Sequence, residues 1–139
     1  MRMWSMNFNS RNKIVILVFI VLSALVIWSV KANRDPHVRE TSLQNLRVIG
    51  VLLSEEYTKH QQFPLSSNEF VNTIRRSRAD DADRLLQDPW GSSVIYRTSK
   101  RSEIPAIYSV GPNRIDEQGS GDDIILPSAF LEERIKQSR

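Results

Sequence analysis

Asp88-Pro89-Trp90-Gly91, then Tyr108-Ser109-Val110-Gly111-Pro112-Asn113, then Asp116-Glu117-Gln118-Gly119-Ser120-Gly121-Asp122-Asp123-Ile124 decide how this chain is read. In the first, Asp, Pro and Gly occupy positions one, two and four of a type I turn. There a side-chain hydrogen bond, a fixed φ and conformational freedom are each favoured. Residues 93–98 (Ser-Val-Ile-Tyr-Arg-Thr) and 104–110 (Ile-Pro-Ala-Ile-Tyr-Ser-Val) are rich in β-branched and aromatic side chains and predict an antiparallel pair. Pro105 belongs at the start or edge of its strand, because it brings no N–H to a ladder. An acidic, glycine-rich loop over 111–123 leads to a third short strand at 124–126. Pro127-Ser128 opens a last helix over 129–137, with Phe130, Leu131 and Ile135 facing inward.

Upstream of the turn the pattern is helical. Leu43, Leu46, Ile49/Gly50, Leu53 and Tyr57 recur at three- and four-residue steps, with Arg39, Gln44, Arg47, Glu55 and Lys59 between them, which predicts an amphipathic helix over 38–57. Phe63-Pro64 ends it, since proline disfavours helical geometry in the residue before it. Ser66 and Glu69 have capping-box spacing ahead of Phe70, Val71 and Ile74, predicting a second, shorter helix. Residues 75–83 read as a solvated loop, and 82–87 as one further helical turn. The sum is an α+β arrangement with a sheet of about three antiparallel strands. Trp90, Tyr96 and Tyr108 are expected to be core side chains, because strands of a small sheet bury one face.

Residues 14–30 form an apolar run with no charged side chain. A helix apolar on every face belongs in hydrocarbon, and this one would extend about 25 Å, within the range of single membrane spans. Trp28 suits the interface. The expected organisation is a cytoplasmic leader at 1–13, a transmembrane helix at 14–30, a membrane-proximal linker at 31–37 and an exported domain at 38–139. A cleavable signal peptide cut after Ala32 is the competing reading. Either way the domain is exported, and in the first the N-terminus stays inside.

Composition removes several function classes. The formal net charge of +3 is dispersed along the chain, which gives no nucleic-acid footprint. Cysteine is absent, so neither a disulfide framework nor a thiolate site is available. His37 and His60 are too few and too separated for a metal centre or a triad. None of the nucleophile-elbow, zincin or phosphate-loop motifs occurs. The reading is of a non-enzyme with no evident small-molecule substrate.

Asp88-Pro89-Trp90-Gly91, Tyr96, Tyr108-Ser109-Val110-Gly111 and the acidic stretch ending Asp122-Asp123-Ile124 resemble the C-terminal half of the major pseudopilin of bacterial type II secretion. The order of elements is similar over about residues 40–126. The resemblance implies a type IV pilin-like fold, with the long N-terminal helix first transmembrane and then amphipathic. It also implies an inner-membrane, single-pass protein with a periplasmic domain, whose partners are the bilayer and other pseudopilins or secretion-system membrane components. In that family the loop before the last strand is a calcium site. Carried over by position, Asp123 matches the family's acidic residue and Asn113 falls where an Asp is common, while Gly121 replaces a second Asp. Asp116 and Asp122 then complete a candidate set for structural Ca2+.

Family precursors carry a Gly or Ala followed by Phe-Thr-Leu-x-Glu at the start of the apolar helix. Here the corresponding residues read Asn9-Ser10-Arg11-Asn12-Lys13-Ile14-Val15, and 14–30 holds no acidic group. Two functions follow as expectations. One is a structural or assembly component of a type II secretion or type IV pilus-like system. The other is a tethered pilin-fold binding module that does not polymerise, with Trp90, Tyr96 and Tyr108 as contacts if exposed.

Overall fold

Pro36 supplies the first residue of the longest helix, where its missing N–H costs nothing and its φ is already helical. In a computed structural model that describes residues 18–23, 36–78 and 80–138, this helix, α1, spans Pro36–His60. It runs past both ends of the predicted 38–57. Its stop lies before Phe63-Pro64: Gln61 turns left-handed at φ 54° and donates its N–H to the Tyr57 carbonyl at 2.6 Å. Phe63 then folds back and stacks on Tyr57, ring centroids 4.5 Å apart.

The helix α2 spans Ser67–Ser77, and Ser66 caps it by accepting from the Glu69 N–H at 3.2 Å. The return half of the predicted box lands one residue away, since Glu69 accepts from Leu65 N rather than from Ser66. Arg101 donates to the same carboxylate at 2.8 Å, docking the 98–104 hairpin loop on the start of α2. Residues 75–77, expected as loop, are helical; Ala82–Leu85 forms the single turn α3. The last helix, α4, spans Ser128–Gln137 and buries Leu131 and Ile135.

Strands β1 (Ile95–Arg97), β2 (Ala106–Ser109) and β3 (Ile124–Ile125) form one antiparallel sheet in the order β1-β2-β3. Register pairs Tyr96 with Ile107 and Ser109 with Ile124 on one face, and Ile95 with Tyr108 and Tyr108 with Ile125 on the other. The first face meets the helices. Leu46, Ile49 and Leu53 of α1 join Phe70, Ile74, Tyr96, Ile107 and Ile124 in one apolar cluster. Tyr96 stacks on Phe70 at 4.6 Å and satisfies its hydroxyl on the Pro64 carbonyl at 2.6 Å. Gly50 lets α4 approach α1: a Cβ there would lie 2.8 Å from a Leu126 methyl and 3.0 Å from the Phe130 ring.

Residues 36–139 form one compact unit and residues 1–35 another. Of the second, residues 18–23 are helical, with Phe19 and Ile20 exposed. No helix among the described residues is long and apolar enough to cross a membrane. Most of the expected span at 14–30, and the whole expected leader at 1–13, lie outside them.

Candidate functional site: the acidic loop over the outer sheet face

The quoted motifs meet in space through one buried carboxylate. Asp88 Oδ1 accepts from Trp90 N at 3.0 Å and Ser92 N at 2.7 Å, and the turn closes from Gly91 N to the Asp88 carbonyl. Its Oδ2 accepts from the Ser109 hydroxyl at 2.6 Å, and Ser109 Oγ in turn accepts from Gly111 N at 3.1 Å. The turn, the end of β2 and the first residue of the acidic loop are thereby joined in one hydrogen-bonded chain.

From Gly111 the loop folds back over the outer face of the sheet. Asp116 Oδ1 accepts from the Tyr108 hydroxyl at 2.9 Å and from Gln118 N, and its Oδ2 meets Arg97 at 2.6 Å. The Arg97 guanidinium also stands 5.7 Å from the centre of the Tyr108 ring. Tyr108 is therefore 2% exposed although it sits on the face away from the helices. The Gln118 N–H, then the Tyr108 hydroxyl and Arg97, hold the Asp116 carboxyl below its ordinary range. Burial first, and the bond to Asp116 second, push the Tyr108 hydroxyl up to about 12.

Two glycines permit the loop's path. At Gly111, φ +67°, a Cβ would lie 2.3 Å from the Asp122 carbonyl oxygen; at Gly121, φ +55°, it would lie 2.1 Å from Glu117 Oε2. Glu117 Oε2 accepts from Asp122 N at 2.6 Å and from the Asn113 side-chain amide at 3.2 Å. Asn113 Oδ1 accepts from Ile115 N. Asp123 is 7% exposed; Oδ2 accepts from Gly119 N at 2.7 Å, while Oδ1 is buried and has no hydrogen-bond partner.

The four predicted site residues thus fall into different roles. Asp116 is a strut between loop and sheet, Asn113 closes a local turn, Asp122 is exposed, and Asp123 alone presents a bare buried oxygen. Among the described residues no three His, Asp or Glu side chains converge as a ready metal cage. The bare Asp123 oxygen is nonetheless what a hard cation would satisfy, since a buried carboxylate oxygen without a donor is costly. Glu117, absent from the predicted set, is held in the middle of the loop. Its sequence signal was its place five residues before Asp122, in the same glycine-rich run.

Of the other expected positions, Tyr96 and Tyr108 are buried and Trp90 half-buried against the core. His60 is exposed and lies 3.6 Å from Glu56. A cleft of about 750 Å³ is lined by residues that include Thr41, Asn45, Arg75, Arg84 and Gln87. Its two carboxylates are already committed, Asp83 to Arg75 at 3.0 Å and Asp88 within the turn. No protein family, curated protein or solved structure matches the chain.

Proposed function

We propose that the chain is a membrane-anchored, pseudopilin-like structural or assembly component of a type II secretion or type IV pilus-like system, without catalytic activity. The observation that carries this reading is the order of parts: an apolar segment, then a 25-residue helix whose buried stripe lies on a small antiparallel sheet. Such a chain works by contact, in the bilayer through residues 14–30 and outside it through the surface of the folded unit. The acidic loop supports that surface by covering Tyr108 on the outer sheet face, and a structural calcium ion bound with Asp123 clamps it.

A second reading, a tethered module that does not polymerise, is favoured by the missing acidic residue in 14–30. The absence of native cysteine makes the two separable. With Val21→Cys in the full chain, oxidative crosslinking in membranes is expected to give dimers, or mixed products with other secretion-system membrane proteins. Monomer alone at every oxidant concentration favours the second reading.

A further inference from the structure

The cleft beside the 88–91 turn belongs wholly to the folded unit 36–139, so what it binds does not depend on residues 14–30. Its volume of about 750 Å³ is that of a ligand site. The apolar part of its lining, Val71, Leu86, Pro89 and Val94, comes from α2, the stretch that enters the turn and the residue before β1. Leu86 belongs to the core, and Val71 and Val94 pack against it, so this wall is fixed. Thr41 and Asn45 of α1 add uncharged polar groups.

The charges of the cleft are unevenly used. Asp88 spends both carboxylate oxygens on donors of the turn and of β2, and Asp83 is paired with Arg75. Arg84 lines the same cleft, and its side chain makes no ion pair or hydrogen bond among the described residues. The pair of Arg75 and Asp83 is itself exposed, Asp83 at 85%, and an exposed pair adds little, so Arg75 exchanges Asp83 for an incoming carboxylate at small cost. Two guanidinium groups, whose planar forks match a carboxylate, are thereby available in one cleft.

The backbone supplies a third feature. Val94 N donates to the Leu86 carbonyl at 2.9 Å and Asp88 N to the Ser92 carbonyl at 2.8 Å, on either side of the bridge between Gln87 and Ser93. Alternate residues of an antiparallel strand turn their N–H and C=O to opposite edges, so Gln87, between two residues bonded inward, turns its own to the free edge. Gln87 is exposed and lines the cleft. Pro89 brings no N–H, which limits that edge to one pairing residue.

We propose that this cleft docks an extended acidic segment of a partner protein. Its backbone pairs with Gln87, an apolar side chain covers Leu86 and Val94, and a carboxylate is taken by Arg84 and Arg75. A free inorganic anion would use the guanidinium groups and leave the apolar wall and the Gln87 edge unused, and a basic segment would leave Arg84 unpaired.

The test is selection of a random-peptide display library on the full chain in detergent, followed by fluorescence anisotropy of the enriched peptides with wild type and Arg84→Gln. Enriched peptides are expected to share an acidic and an apolar residue, and to bind Arg84→Gln about tenfold or more weakly. No enrichment, enriched peptides without an acidic residue, or equal affinity for wild type and Arg84→Gln overturns the proposal. Displacement of the peptide by inorganic phosphate at the peptide's own concentration would make this an anion site only, and also overturns it. Enriched sequences that reproduce Ile115-Asp116-Glu117 of the chain's own loop would make the occupant a second copy and overturn the assignment to another protein. Arg84 is exposed, and near-UV circular dichroism checks that its variant is folded. If it is not, Arg84→Lys, which keeps the charge without the fork, is expected to bind several-fold more weakly than wild type, and equal affinity overturns the proposal.

Discussion

Asp88 ties the turn to β2 with one side chain and reaches the loop through Ser109, so its removal costs more than a surface carboxylate would. Asp88→Ala leaves the N–H groups of Trp90 and Ser92 and the Ser109 hydroxyl without their acceptor in a buried site. A loss of about 3 kcal/mol in urea unfolding is expected, because an unsatisfied buried donor forfeits its full desolvation cost. Tyr108 and Asp116 give the fold opposite pH limits. A phenol raised from 10.0 to about 12 contributes stability that is intact below pH 10 and is lost as pH rises toward 12. A carboxyl held below 3.8 contributes stability that is intact above that value and is lost as pH falls through its lower folded value. Thermal melts across both ranges should show Tyr108→Phe flattening the alkaline limb and Asp116→Asn the acid limb.

At the scale of elements, α1 and α4 are held together where Gly50 meets Leu126 and Phe130. Gly50→Val has nowhere to place an isopropyl group, and a destabilisation of about 2 kcal/mol or more is expected from chemical denaturation. Ser66→Ala tests the cap of α2, with an expected cost of about 1 kcal/mol by the same measurement. These elements were legible in the sequence because their causes are local. The leucine stripe from Leu43 to Tyr57, Ser66 ahead of Glu69, Asp88-Pro89 and the β-branched runs each act within a few residues of themselves. The loop was legible only in composition. Carboxylates and glycines marked it, but the role of Asp116 depended on partners outside the loop. Asp116 is taken by Arg97, nineteen residues away, and by Tyr108, a residue of the sheet the loop returns to cover. Glu117 gained its place from a glycine that leaves it room, a contact that no spacing rule anticipates.

For the whole molecule, the folded unit explains a surface and its bracing, while the proposed function depends on whether that unit stays attached to a bilayer. The leucine-lined helix, the cover over Tyr108 on the outer sheet face and the committed carboxylate of the turn suit a body that acts by contact. A chain cut free after Ala32 would place the same body in solution and remove the helix through which assembly is proposed. Mass spectrometry of the mature protein, taken separately from membrane and soluble fractions, decides between them. A membrane-fraction species that retains residues 14–30 is expected, and a soluble species whose first residue follows Ala32 would contradict the proposed anchoring.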